Sequence, residues 1–101
     1  MPSFLNPFVD MTPERKMSVP ELVGALRLDL SSELEAINTY LAHAGTTDNL
    51  LAKKVLTDIA NEERVHAGEL LHLIEVITGD EDKYLARGRE DVDQRGHSHQ
   101  I

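Results

Sequence analysis

Apolar residues recur at three- and four-residue steps through two long stretches of the chain, the period of helices that bury one face. Leu22, Val23, Leu26, Leu30, Leu34, Ile37, Tyr40 and Leu41 carry the first stripe, and Ala52, Leu56, Ile59, Ala60, Ala67, Leu70, Ile74 and Ile77 the second. Ser18-Val19-Pro20-Glu21 opens the first stretch with a capping box: the Ser18 hydroxyl can accept from an orphan N–H while Glu21 reaches back, and proline is tolerated in the first turn. The stripe then continues to a break at Gly45, about 26 residues or roughly 39 Å of helix. Gly45-Thr46-Thr47-Asp48 joins a helix stop to good N-cap residues, and so short a link predicts an antiparallel second helix from about Asp48 to Thr78. Gly79 is the expected C-cap. Asp80-Glu81-Asp82 is then placed to cap a short third helix through Tyr84, Leu85 and Ala86.

Both ends depart from this pattern. Residues 1–17 hold three of the four prolines and no periodicity, which predicts an extended arm. Its Phe4, Leu5, Phe8 and Val9 either anchor on a neighbouring surface or are incidental hydrophobes. From Gly88 the chain turns polar and aperiodic, so residues 88–101 read as a flexible tail whose last ten or so residues are mobile. The expected organisation is an arm at 1–17, an antiparallel helical hairpin with the start of a short third helix at 18–87, and the tail. The class is all-α. A lone hairpin leaves an apolar face of each helix uncovered, and a second copy laid across those faces completes a four-helix bundle, so the pattern itself implies a homodimer.

Two ionisable residues interrupt the stripes. Glu33 in the first helix and Glu63 in the second stand where leucine is expected, and His66 follows Glu63 by three positions, on the same side of the helix. A carboxylate in a core is costly without a cation, a metal or a complete hydrogen-bond network. Fe²⁺ and Mn²⁺ take carboxylate oxygen and imidazole nitrogen, and two such ions side by side need carboxylates to neutralise them. Glu33 with Glu63-x-x-His66 is half of a di-iron carboxylate set, and a symmetric dimer would supply the other half. Tyr40, seven residues after Glu33, either hydrogen-bonds a ligand beside the metals or is a plain core tyrosine.

A second Glu-x-x-His at Glu69 and His72 is rotated by about 120° and has no opposing carboxylate on the first helix, so it reads as a surface pair. Glu62, about 100° off the ligand face, reads as solvated. His43, His97 and His99 read as surface histidines, the last two as a His-x-His tail able to take up adventitious metal.

Composition narrows the partners. At 101 residues the chain allows one small domain, and two Phe, two Tyr and no Trp leave Leu, Ile, Val and Ala to build its core. A formal charge of −8 argues against nucleic acid and anionic membranes and favours cations. With no cysteine, thiolate metal sites and disulfides are excluded. No window approaches the roughly 20 apolar residues of a membrane span, and the N-terminus lacks a basic, apolar leader, so a soluble cytoplasmic protein is expected.

Ser32-Glu33-Leu34-Glu35-Ala36-Ile37-Asn38-Thr39-Tyr40 and Asn61-Glu62-Glu63-Arg64-Val65-His66-Ala67 resemble the paired motifs of the encapsulated ferritins, ferritin-like two-helix subunits housed in encapsulin shells. The resemblance covers residues 18 to about 87. It implies a ferroxidase that oxidises Fe²⁺ to Fe³⁺ with O₂ as acceptor. The di-iron centre would take Glu33, Glu63 and His66 from each of two subunits, with Tyr40 nearby. Its dimers would form a decameric ring, not itself a storage shell, that feeds oxidised iron into an encapsulin nanocompartment for mineralisation and storage. Glu35 matches an acidic uptake position of the family, for Ca²⁺ or another divalent ion. Ser32 stands where a second uptake carboxylate is typical, Thr39 replaces a tryptophan seen in some members, and residues 88–101 show no clear shell-targeting peptide. Two rival readings remain: a di-metal protein in peroxide or oxidative-stress defence, and a non-catalytic helical dimer.

Overall fold

The computed structural model describes residues 15–99, which form three helices: α1 (Val19–Thr46), α2 (Leu50–Thr78) and α3 (Glu81–His99). The capping box at the head of α1 is formed. The Ser18 hydroxyl accepts from the Glu21 N–H at 3.2 Å and the Glu21 carboxylate accepts from the Ser18 N–H at 3.0 Å. Arg15 donates both guanidinium arms to the same carboxylate, at 3.0 and 2.9 Å. These bonds, the Arg15 pair first and the Ser18 N–H second, pull the Glu21 carboxyl down to about 2. Residues 1–14, most of the expected arm, lie outside the described residues.

The hairpin turn is tighter and later than the sequence suggests. α1 runs through Gly45 to Thr46, and Asn49 rather than Asp48 caps α2, its side-chain oxygen accepting from the Ala52 N–H at 2.9 Å. Gly45 therefore does not end the helix, because the turn chemistry of Thr47 and Asn49 supplies a better stop two residues on. Lys53 donates to the Ala44 carbonyl at 2.7 Å, placing a cation on one of the orphan acceptors at the end of α1.

The two helices pack along Leu26, Ala44, Ala60, Ala67 and Ile74, with Ala60 and Ile74 fully buried. Three of these five are alanines, which let the backbones approach closely. The burial is one-sided. Leu34, Val55, Val65, Leu73 and Val76 remain exposed, a set of large apolar side chains that one chain does not cover.

Gly79 ends α2 in the left-handed region, φ 77°, and its N–H returns to the Glu75 carbonyl at 3.0 Å. The Thr78 hydroxyl accepts from the Glu81 N–H at 3.2 Å and so caps α3. Arg27 of α1 grips the Glu81 carboxylate with two bonds of 2.7 and 2.9 Å, which hold that carboxyl below its ordinary range. Beyond this ion pair and a short contact with the end of α2, α3 stands clear of the hairpin.

α3 corrects the expectation for the C-terminal end. Residues 88–99 continue the helix where the aperiodic sequence predicts a flexible tail. The stretch has no proline, is acidic in its first turn at Glu81 and Asp82, and Arg89 reaches back to Asp82 at 3.5 Å. Arg, Glu and Gln are good helix formers without any apolar stripe, and together they carry Gly88 and Gly96, each costing about 1 kcal/mol relative to alanine. No helix among the described residues is long and apolar enough to cross a membrane.

Candidate metal centre

Glu33 lies fourteen positions before the C-cap Thr47, and Glu63 fourteen positions after the N-cap Asn49. At equal rise per residue both side chains stand about 21 Å from the turn, so folding the hairpin brings them level. His66, one helical turn on, closes the group. One ligand atom from each of Glu33, Glu63 and His66 lies within 4.8 Å of the other two. Nδ1 of His66 is 3.6 Å from Glu63 Oε2 and 3.7 Å from Glu33 Oε2. Those separations exceed hydrogen-bond length, so the three groups converge without satisfying one another. Two like charges at this range repel by roughly 1–4 kcal/mol between bulk water and a protein surface, a cost that a cation between them reverses.

The sequence places Glu63 and His66 in a core, and here the structure differs. His66 is 48% exposed, Glu33 28% and Glu63 18%. The side of the hairpin that carries them is uncovered in the single chain. Val55, His66 and Leu73 lie at eleven- and seven-residue steps, within about 20° of one another around α2, so the imidazole stands in the same uncovered stripe as two exposed apolar residues.

Tyr40 is half-buried on α1, two turns beyond Glu33, and makes no side-chain hydrogen bond among the described residues. Glu35 is exposed and apart from the trio. Glu62, Glu69 and His43 are exposed, as is His97 on α3, while the His99 side chain lies outside the described ones. His72 does not pair with Glu69. Its Nδ1 meets Glu75 Oε1 at 3.2 Å, a satisfied hydrogen bond and so unlike the open trio. Glu75 follows His72 by three positions, the reverse of the Glu-x-x-His order, so the motif alone does not point to it.

Residues 25–97 match the rubrerythrin family. The chain also superposes on the crystal structure of the encapsulated ferritin domain from Pyrococcus furiosus with a TM-score of 0.79 and 30% identity, over 92% of this chain and 94% of that one. The chain belongs to the rubrerythrin family, among the encapsulated ferritins. The Myxococcus xanthus encapsulin nanocompartment cargo protein EncC is 46% identical to this encapsulated ferritin over 69 residues, 68% of this chain and 52% of EncC. A ferritin-like-encapsulin shell fusion protein of Pyrococcus furiosus is 36% identical over 72 residues, 71% of this chain and 21% of the fusion. The encapsulated ferritin chain thus spans about half the length of EncC and about a fifth of the fusion protein.

The donor set fits a divalent transition metal. Ligands on opposite sides of a first-row ion stand about 4 Å apart, close to the spread of the Glu33, Glu63 and His66 atoms, and carboxylate with imidazole suits iron and manganese. Three side chains leave a first-row ion under-coordinated, and their exposure leaves room on the open side for donors from elsewhere.

Proposed function

We propose that the chain is a ferroxidase that oxidises Fe²⁺ to Fe³⁺ at a di-iron site shared between two copies. The reading rests on one observation: two carboxylates and an imidazole converge within 4.8 Å on the uncovered apolar side of the hairpin. A second copy laid on that side buries Val55 and Leu73 and brings its own Glu33, Glu63 and His66 to the first set. Four carboxylates then balance the charge of two ferrous ions. Ferrous iron is the substrate, and each ion gives one electron to O₂. Glu33 and Glu63 gather and neutralise the iron, His66 supplies the nitrogen donor, and the apolar residues around them exclude water. Tyr40, on the α1 side of the site, orients bound oxygen through its hydroxyl. Glu35, exposed two residues from Glu33, collects Fe²⁺ or Ca²⁺ on the way in.

The encapsulin names of the relatives support a cytoplasmic setting inside an encapsulin shell, where a homodimer, assembled further into a decameric ring, delivers Fe³⁺ for mineralisation and storage. Aerobic addition of Fe²⁺ to the purified chain, followed by Fe(III) absorbance and O₂ consumption, tests the activity. Oxidation no faster than in protein-free buffer would refute it, and rapid consumption of added peroxide without mineral would favour a role in oxidative defence.

A further inference from the structure

α3 stands out from the hairpin as a spar. The molecule measures 48 × 42 × 24 Å, whereas two packed helices account for only about 20 Å across, so the remaining breadth is α3 projecting sideways. A helix of 19 residues is marginal in water unless one face is packed. Nothing among the described residues covers the apolar face of this one: Tyr84 and Val92 are 59% and 62% exposed, and with Leu85, Gly88, Arg89 and Asp93 they line a shallow groove along the helix. A Cβ at Gly88 would meet nothing within 4 Å, so the single chain does not call for glycine there, in a helix interior that glycine weakens.

We propose that this face binds the same face of a second copy, the two α3 helices crossing antiparallel at Gly88. A two-fold contact needs a patch that complements itself, in which one residue meets another and the second meets the first. Leu85 and Val92 stand three positions before and four positions after Gly88 and differ by about 20° around the axis. With Gly88 on Gly88, each Leu85 therefore comes within about 1.5 Å along the axis of Val92 of the second copy, and the missing Cβ lets the backbones approach at the crossing. Charge has the same symmetry. Arg87 and Asp91 are exposed one turn apart on one flank of this face, and the antiparallel register sets each Arg87 against Asp91 of the second copy, twice over. On the other flank the two Arg89 side chains come near each other, each already held by Asp82 of its own helix at 3.5 Å. A parallel pair would instead set the Arg87 flank against the Arg89 flank, arginine near arginine and Asp91 near Asp93, so charge selects the antiparallel arrangement.

The chain has no cysteine, so introduced thiols report without background. Two full-length chains of different mass, one carrying Leu85→Cys and the other Val92→Cys, are mixed without iron under mild oxidation. The mixed disulfide should form about tenfold faster than either homodisulfide, because like positions in the antiparallel pair are about 10 Å apart along the axis, beyond the Cα separation that a disulfide spans. Adding Arg87→Asp to both chains should slow the mixed disulfide about threefold, and Arg87→Asp in one chain with Asp91→Arg in the other should restore it. That recovery reports pairing between copies, since neither chain then keeps an Arg87–Asp91 pair of its own. Homodisulfides that form as fast as the mixed one would overturn the proposal as random collision, and homodisulfides that form faster would overturn it in favour of a parallel pair. A rate indifferent to the Arg87 and Asp91 substitutions would overturn it as well. The measurement reads α3 alone and stands apart from any result at the metal centre.

Discussion

Glu63 and Glu75 are both glutamates on α2 with little of their side chains exposed, 18% and 14%, yet only Glu75 has found a hydrogen-bond partner. That contrast separates the open trio from a satisfied surface pair. Glu63→Ala is expected to lower Fe²⁺ oxidation by more than about 100-fold, beyond what losing a ligand's hydrogen-bond partner costs. Because the change also removes a converging negative charge, the ion-free protein should gain roughly 1 kcal/mol and melt a few degrees higher, readable by circular dichroism. Glu69→Ala and His72→Ala should leave oxidation within about twofold of the parent, since both residues sit about 120° from the site. A loss as large as that of Glu63→Ala would mean the helix register has been misread. The convergence of Glu33, Glu63 and His66 was legible in the sequence because ionisable residues stand out against an apolar stripe. The partner chosen by His72 was not, since two glutamates at three-residue spacing flank it and the period alone does not select between them.

At the scale of elements, the capping box, the hairpin and the Gly79 stop were all readable, because each is fixed by residues a few positions apart. α3 was under-read from Gly88 on for the opposite reason: its helix rests on propensity and on Arg27, 54 positions upstream of Glu81. Arg27→Gln should therefore raise amide hydrogen exchange over residues 81–90 while leaving α1 and α2 unchanged, as mass spectrometry of proteolytic fragments would show. The start of α1 has its own pH signature. Glu21 is held from an ordinary 4.5 down to about 2, so its contribution is complete above 4.5 and is lost as pH falls towards 2. The gap in melting temperature between the parent and Glu21→Gln should stay constant above about pH 5 and close by about pH 2. A gap unchanged across that range would show that the Arg15 pair contributes nothing to folding.

Across the whole molecule, the trio that the sequence pattern assigns to a core stands at an uncovered apolar side of the hairpin. Since each copy holds half of the proposed ligands, a metal ion that binds only the associated state should favour it by mass action. Fe²⁺ without oxygen, or redox-inert Zn²⁺, should shift the chain towards dimers and larger rings and raise its melting temperature. Replacing Glu33 and Glu63 together should abolish the response. Native mass spectrometry across the titration decides it, and one ion bound per monomer without change of size would refute a shared site. The equal spacing of Glu33 and Glu63 from the turn has a further consequence, for how such a chain can change length. Residues added between Thr47 and Asn49 lengthen the loop and leave both carboxylates level, at a closure cost that grows only slowly with loop length. A single residue added between Asn49 and Glu63 instead turns Glu63 and His66 by about 100° and lifts them by about 1.5 Å, away from Glu33. Insertions and deletions among related chains should accordingly gather at the turn and beyond Gly79, and be missing from the arms that run from the turn to Glu33 and Glu63.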